Sequence, residues 1–304
     1  MPSLLLITNA NARAVTGYTR DVIVKALSAE FVVDVAETKG PGHAVELARL
    51  GVESGVGLVV ALGGDGTVNE AANGLAGSDV PLAVVPAGGV NVFARSLGIP
   101  EDPIEATGRL LEDLDRPPRR INLGRVGDRY FLMNCGVGFD AAVVHRVEGH
   151  QNMKRAAGDA FFVWSALRTF FGGYDRRRPM VRLRWGEGPD ECRDGLFTVI
   201  VQNAGPFVYW GDLSFRFCPQ ASFDEGLDAF ALDRLRTGTV LRVLAGAIGS
   251  GRHLRNKHVV SLRDRLRYEI RCDEPLPLQA DGEYLGQRDH VVIESVPDAL
   301  SVLV

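Results

Sequence analysis

The stretch Leu58-Val59-Val60-Ala61-Leu62-Gly63-Gly64-Asp65-Gly66-Thr67-Val68-Asn69-Glu70-Ala71-Ala72-Asn73-Gly74-Leu75 decides how the chain reads. The apolar run Leu58–Leu62 reads as a buried strand, and Val68–Leu75 as a short helix. The glycines at 63, 64 and 66 between them let the backbone turn sharply and lie close against another object. A glycine loop between a strand end and a helix start is where a phosphate can rest on free backbone N–H groups. Such a cradle does not need Asp65, so this side chain points to a bound metal or a sugar hydroxyl. A purely structural account also stands here. Thr67 and Glu70 have the T-x-x-E spacing of a capping box, which would make Thr67 a helix cap and the glycines a plain turn.

On either side of this loop the first hundred residues alternate in type. Strands are expected at Leu4–Thr8, Phe31–Ala36, Leu58–Leu62 and Leu82–Val85, with helices near Thr19–Glu30, His43–Glu53, Val68–Leu75 and Val92–Leu97. The alternation predicts an α/β domain whose mostly parallel sheet is flanked by helices. Ligands of such sheets bind at the C-terminal ends of the strands, where the glycine loop falls. A second loop, Pro86-Ala87-Gly88-Gly89-Val90-Asn91, repeats the strand–glycine–helix design one unit later. Two such loops at one sheet edge favour a shared site over two unrelated turns.

After Pro100 the pattern changes. A helix is expected over Ile104–Leu114, then the charged connector Arg116-Pro117-Pro118-Arg119-Arg120. Beyond it the segments are mostly strand-like: Ile121–Val126, Tyr130–Gly136, Met180–Trp185, Leu196–Asn203, Ala229–Leu235, His258–Leu262, Arg267–Cys272, His290–Ser295 and Ala299–Val304. Helical stretches interrupt them near 153–172 and 237–252. This predicts an α/β domain over 1–120 and a β-rich, sandwich-like domain over 121–295. The tail 296–304 would pack back on the first domain, and the active site would lie in the inter-domain cleft.

Composition narrows the class. Of 304 residues, 46% are hydrophobic and 24% charged, as in a soluble globular protein. The formal net charge of −4 gives no global attraction to nucleic acid, so any contact with a membrane or polyanion must come from a local patch. Cys135, Cys192, Cys218 and Cys272 are too far apart for a CxxC motif and read as reduced thiols, consistent with a cytoplasmic location. The apolar run Leu4–Ile7 is too short for a signal peptide, and no segment has the length of a membrane-spanning helix.

Named nucleotide motifs are excluded. No lysine follows the loop as in a P-loop, Gly64–Asn69 fails G-x-G-x-x-G at its last position, and the protein-kinase set is missing. Three further segments have two readings each. Asp281-Gly282-Glu283 is a hairpin turn, or a pair of carboxylates that accept a proton and orient a partner. Ser222-Phe223-Asp224-Glu225-Gly226-Leu227-Asp228 is a solvated acidic turn, or a site for a hard cation. The stretch Lys154–Arg184 holds Phe161, Phe162, Trp164, Phe170, Phe171 and Arg176-Arg177-Arg178. It is a helix with a basic loop, or an aromatic and basic edge resting on an anionic bilayer, to which Arg252, Arg255, Lys257, Arg263, Arg265 and Arg267 would add if they share that face.

Taken together these segments resemble the diacylglycerol kinase catalytic family, which includes soluble bacterial lipid kinases and the sphingosine and ceramide kinases. Gly63–Gly74 is similar to that family's GGDGT-x-NE-x-x-NG signature. Thr8-Asn9, Pro86–Arg95, Asn134–Asp140, Ala221–Asp228 and Asp281-Gly282-Glu283 resemble its other motifs, so nearly the whole chain is covered. Ala10 stands where the family has proline, Gly89 where it has threonine, Val92 and Glu225 where it has aspartate.

The resemblance implies an ATP-dependent lipid kinase. Its nucleotide site would comprise Asn9, Thr38, Gly63, Gly64, Asp65, Gly66, Thr67, Asn69, Gly88, Gly89 and Asn91. Asp65 and Mg2+ would organise the phosphates. Asp281 or Glu283 would act on the acceptor hydroxyl, and a structural Mg2+ would sit near Glu225 with backbone oxygens of Ser222 and Leu227. The implied partner is a lipid presented at a membrane surface, with peripheral contact at the inner face through 154–184. No nucleic acid is implied, and a homodimer is left open. A soluble-substrate kinase such as an NAD kinase, which also uses GGDGT, and a non-catalytic nucleotide- or lipid-binding protein are the competing readings.

Overall fold

A computed structural model of the chain describes residues 1–9, 16–149, 168–169, 174–175, 178–249 and 251–304. Met1–Leu123 with Val296–Val304 form one compact unit, and Gly124–Ser295 form another.

The first unit is a parallel sheet. Strands β1 (Ser3–Thr8), β2 (Val32–Glu37), β3 (Leu58–Gly63) and β4 (Leu82–Pro86) pair in the order β2-β1-β3-β4. Val302 adds to the free edge of β4 opposite Leu82. Side chains of a strand point alternately to the two faces of its sheet, so a sheet covered on both sides needs unbroken apolar strands. That is what β1, β3 and β4 supply. Leu4, Leu6, Leu58, Val60, Leu62, Ala83 and Val85 share one core with Ile23 and Leu27 of α1 (Gly17–Leu27) and Ala106 and Leu110 of α5 (Pro103–Glu112). The opposite face is covered by α2 (His43–Glu53) and α3 (Asp65–Leu75). A Cβ on Gly51 of α2 would lie 2.9 Å from Leu5 Cδ2, and one on Gly74 would meet the Val45 carbonyl and Ala48 Cβ at 2.6 Å. Gly74 of the signature therefore lets two helices touch.

Helix α3 starts at Asp65, three residues earlier than the sequence pattern suggests, and Gly64 is its N-cap with no side-chain cap bond. The capping-box reading fails for this reason. Thr67 is already inside the first turn, and its Oγ1 accepts from Asn9 Nδ2 at 3.3 Å. The Glu70 carboxylate leaves its own helix and accepts from Gly42 N (2.8 Å) and Ala44 N (3.1 Å). It thereby caps α2, whose N-cap Gly42 (φ 83°) has no side chain to do so.

The second unit is antiparallel. Strands β7 (Asn134–Gly138), β10 (Thr198–Gln202), β13 (Leu227–Leu232), β14 (Val259–Arg265) and β15 (Arg267–Ala280) pair in the order β14-β13-β10-β7-β15. Both faces of the central strands are buried. Val199, Val201, Leu227, Ala229 and Ala231 join a core with Tyr268 and Ile270. On the other face Ile200, Phe230 and Leu232 join Phe197, Cys218 and Val243. β15 is long because it changes partners. Its residues 269–272 pair with β8 (Val181–Arg184), its residues 278–280 with β7, and the register slips between Arg271 and Leu276. Along its other edge it pairs with residues 283–294 of β16 (Glu283–Val302).

Several expectations are corrected. Tyr130–Gly136 divides into β6 (Arg129–Phe131) and β7, because Leu132–Asn134 turns to donate to a carboxylate described below. Phe139-Asp140, the end of the Asn134–Asp140 motif, opens a helix, α6 (Phe139–Glu148), that the sequence pattern did not indicate. Gly138, at φ 96°, makes that turn, and a Cβ there would lie 2.5 Å from the Phe197 carbonyl. Strand β9 (Cys192–Leu196) and the hairpin β11 (Val208–Trp210) and β12 (Leu213–Phe215) were not anticipated. Residues 237–252 hold α7 (Thr237–Ile248), followed by a short 3-10 turn at Arg252–Arg255. The helix expected near 153–172 and most of the 154–184 stretch lie outside the described residues.

Candidate active site

In the first unit, parallel register brings the C-terminal ends of four strands level. Thr8 pairs with Glu37 and Leu62, and Gly63 with Pro86. This edge gathers Asn9, Thr38, the Gly63–Asn69 loop and helix start, and the Gly88–Asn91 loop. Thr38 N donates to Thr8 O at 2.8 Å, and Asn9 N to Leu62 O at 3.3 Å. The two glycine loops touch backbone to backbone. A Cβ on Gly88 would sit 2.7 Å from Gly64 Cα, and one on Gly64 would sit 3.2 Å from Gly88 Cα. Gly63 is needed for a different reason, since its Cβ would meet Thr67 at 2.7 Å.

Gly66 differs from these three. A Cβ there would meet nothing within 4 Å, and no left-handed φ requires glycine. The chain itself does not explain this residue, whereas close approach of a ligand to the first turn of α3 does. With Gly64 bringing no side-chain cap, the backbone N–H groups at the start of α3 are available to an anion. The donor set fits a nucleotide phosphate.

Asp65 is turned toward the second loop. Its Oδ1 accepts from Phe93 N at 3.2 Å, at the start of α4 (Val92–Ser96). Burial pushes this carboxyl above its ordinary range, while N–H donors from Phe93, Val92, Asn91 and its own backbone pull it back. Asn91 completes the clamp. It is left-handed (φ 50°), its Oδ1 accepts from Gly88 N at 2.9 Å, and its Nδ2 donates to Gly88 O at 3.2 Å. Asn69 is buried, and its carbonyl and Oδ1 both accept from Asn73 Nδ2, at 2.9 and 3.1 Å. Gly89 is exposed at the rim of this loop.

In the second unit the two carboxylates of Asp281-Gly282-Glu283 have different environments. Asp281, left-handed at φ 47°, accepts three backbone N–H groups: Leu132 on Oδ2 (2.6 Å), and Met133 and Asn134 on Oδ1 (both 2.9 Å). Its own N–H donates to Asn134 O at 2.8 Å. Both oxygens are engaged in holding the 132–134 turn. Glu283 is half exposed and bonded to Arg129 Nη2 at 2.5 Å. The next side chain, Tyr284, stacks on His145 of α6 with ring centroids 4.1 Å apart.

Behind the turn lies a buried polar network to which the sequence reading assigned no role. Gln279 Oε1 accepts from Gly282 N at 2.9 Å, while its Nε2 donates to Asn134 Oδ1 (2.9 Å) and Asp140 Oδ2 (3.1 Å). Thr198 Oγ1 donates to the other Asp140 oxygen at 3.0 Å. Gly136 is required beneath it, because a Cβ there would overlap the Asp140 carboxylate. Burial pushes the Asp140 carboxyl up to about 6, with the Gln279 and Thr198 bonds pulling it down. Gln279 stands two residues before Asp281, a spacing that flags nothing. Asp140 was visible only as the end of a motif.

The proposed cation set fits poorly. The Leu227 carbonyl already accepts from Tyr268 Oη at 3.1 Å, and the Ser222 carbonyl from Glu225 N at 3.1 Å. Glu225 Oε2 pairs with Arg263 Nη2 at 2.9 Å, and Arg263 Nε stands 4.0 Å from Asp228 Oδ2. Among the described residues no group of three or more His, Cys, Asp or Glu side chains could hold a metal ion, and no helix is long and apolar enough to cross a membrane.

Two family models match the chain in succession. Residues 3–126 match the diacylglycerol kinase catalytic domain, and residues 134–304 match the YegS C-terminal NAD kinase beta sandwich-like domain. A Chromohalobacter salexigens protein named "Probable lipid kinase YegS-like" is 32% identical over 269 residues, covering 87% of this chain and 81% of that protein. A diacylglycerol kinase of Bacillus subtilis is 28% identical over 270 residues, covering 87% and 84%. A solved diacylglycerol kinase structure from Bacillus anthracis strain Sterne has the same fold, with a TM-score of 0.71 at 20% identity, covering 99% of this chain and 96% of that one. On the match of both halves and the extent of the identity, the chain belongs to the diacylglycerol kinase catalytic family of lipid kinases.

Proposed function

We propose that the chain phosphorylates a lipid hydroxyl with ATP, its first unit holding the nucleotide and Glu283 of its second unit serving as the general base. The observation that carries this reading is the clamped pair of glycine loops at the end of a parallel sheet, with an uncapped helix start and an unfilled space over Gly66. ATP would supply the transferable phosphoryl group to this edge. The chain's own contribution is positioning, on which phosphoryl transfer mainly depends. Backbone N–H groups of α3 receive phosphate oxygens, and Asp65 holds the Gly88–Asn91 loop in place rather than a metal.

Of the two candidate carboxylates, Glu283 is assigned the chemistry. Asp281 has three N–H donors on its oxygens and latches the turn. Glu283 is the accessible one, and Arg129 orients it. Glu283 takes the proton of the lipid hydroxyl as its oxygen bonds to phosphorus and the bond to the leaving ADP oxygen breaks. Any magnesium in the reaction accompanies the nucleotide, and no step is assigned to a metal at Glu225.

The test is phosphoryl transfer from labelled ATP to dispersed diacylglycerol, a sphingoid base and a prenol, with NAD as the soluble control. Glu283→Gln is expected to lower turnover by about 100-fold or more with the fold intact, and Asp281→Asn to lower stability. Undiminished turnover in Glu283→Gln would refute the assignment, and labelling of NAD alone would refute the lipid reading.

A further inference from the structure

Among the described residues of the second unit, five large hydrophobic side chains are exposed: Trp210, Leu213, Leu241, Ile248 and Leu266. Four of the five belong to two neighbouring elements, the β11–β12 hairpin and α7, so the exposure is a cluster rather than the usual scatter.

The hairpin is built to present its tip. Trp210 (48% exposed) and Leu213 (51%) are direct cross-strand partners flanking the Gly211-Asp212 turn, so their side chains emerge on one face. Its base is fixed in the core. Phe207 N donates to Phe215 O at 2.8 Å, and Phe217 packs against Phe207 and Phe230 with ring centroids 5.1 and 5.0 Å apart. Directly after the hairpin, Arg216 N donates to Ala247 O of α7 at 2.9 Å, which joins the two elements.

Helix α7 buries Thr239, Val243 and Ala247. Its exposed residues Leu241, Ala245 and Ile248 recur at i, i+4 and i+7, a second apolar stripe facing water. Around it the charge has a single sign. Arg234, Arg236, Arg242, Arg252, Arg255 and Lys257 fall within 234–257, and that stretch contains no Asp or Glu, in a chain whose net charge is −4. None of these six has an ion-pair partner among the described residues.

We propose that the Trp210/Leu213 hairpin tip and the exposed face of α7 form a docking surface for an anionic lipid bilayer. An apolar tip, with Asp212 its single acid, beside an apolar stripe flanked in sequence by six cations matches an interface of acyl chains beneath negative headgroups. A tryptophan suits the boundary between them. The surface differs from the 154–184 stretch expected to make this contact, and shares with that expectation only Arg252, Arg255 and Lys257. It rests on the lipid-kinase reading only in that such an enzyme must reach a substrate held in a membrane.

The test is sedimentation of the full chain with phosphatidylglycerol vesicles and with phosphatidylcholine vesicles, alongside quenching of Trp210 fluorescence by acyl-brominated lipid. Binding to phosphatidylglycerol vesicles that weakens with salt is expected. Trp210→Ser with Leu213→Ser should weaken it by about tenfold or more, while turnover of a dispersed short-chain diacylglycerol is unchanged. Trp210→Phe should keep binding and lose the quenching. Unaltered vesicle binding in the double variant would overturn the proposal. So would loss of turnover on the dispersed acceptor, or a dimer that the double variant dissociates. Vesicle binding as expected, with no phosphorylation of any lipid, would refute the kinase reading and support the docking surface.

Discussion

Replacing Asp140 by Asn should remove the pH dependence that this one side chain imposes on stability. Burial raises its carboxyl from the ordinary 3.8 to about 6, so the folded chain holds a proton that the unfolded chain has already released. The contribution is fully present below about pH 4 and is lost as pH rises through about 6. A shift of about two units corresponds to about 3 kcal/mol. Asparagine preserves the shape and the bonds. Its Oδ1 can accept from Gln279 Nε2, and its Nδ2 can donate to Thr198 Oγ1, whose own hydrogen then goes to Val137 O at 3.2 Å. Relative to the parent, Asp140→Asn should therefore gain about 3 kcal/mol between about pH 4 and pH 7. The measurement is urea unfolding of both proteins across that range. Trp185, which packs against the second unit's core, serves as the probe, and the quantity of interest is the difference between the two proteins. A difference that stays flat, or that favours the parent as pH rises, would refute the assignment of a proton to this network.

Three further outcomes follow from the same geometry. Gly66→Ala should leave thermal stability unchanged and weaken ATP binding, whereas Gly88→Ala, which drives a Cβ to 2.7 Å from Gly64, should cost about 1–3 kcal/mol in chemical unfolding. Glu70→Ala removes the acceptor for Gly42 N and Ala44 N and should cost about 1–2 kcal/mol by the same measurement, with the loss confined to the first unit. Chelating divalent ions should leave the thermal midpoint of the nucleotide-free chain unchanged, and Arg263→Met should cost no more than about 1 kcal/mol, because its pair with Glu225 is half exposed. A midpoint that falls on chelation would restore the metal at Glu225.

The first unit was readable because its signals are local. Apolar runs, glycine punctuation and alternating segment types are properties of consecutive residues, and they locate every strand of the parallel sheet. What was not readable depends on distant partners. Glu70 has a capping-box spacing from Thr67, yet Gly64 takes the cap position and Gly42, 28 residues earlier, takes the carboxylate. The DGE turn reads as two equivalent acids. Only the fold shows that Leu132, Met133 and Asn134, nearly 150 residues away, donate to one of them and leave the other to Arg129. The cation expected at Glu225 was implied by the family resemblance, whereas the partner that carboxylate has in the fold, Arg263, lies 38 positions later in sequence. Short elements such as the β11–β12 hairpin carry too few residues for a period to register.

The contact between Gly64 and Gly88 bears on how a ligand would arrive and leave. The two loops already touch through their backbones, Asp65 of the first accepts from Phe93 N just after the second, and Asn91 braces the second loop internally through Gly88. Loops held in contact in this way are expected not to act as a gate. Association should then be a single second-order step whose observed rate rises linearly with nucleotide concentration, without the plateau that a preceding loop rearrangement would impose. Residence time would be set by the bonds the nucleotide makes, because the ordering of the loops was completed when the chain folded.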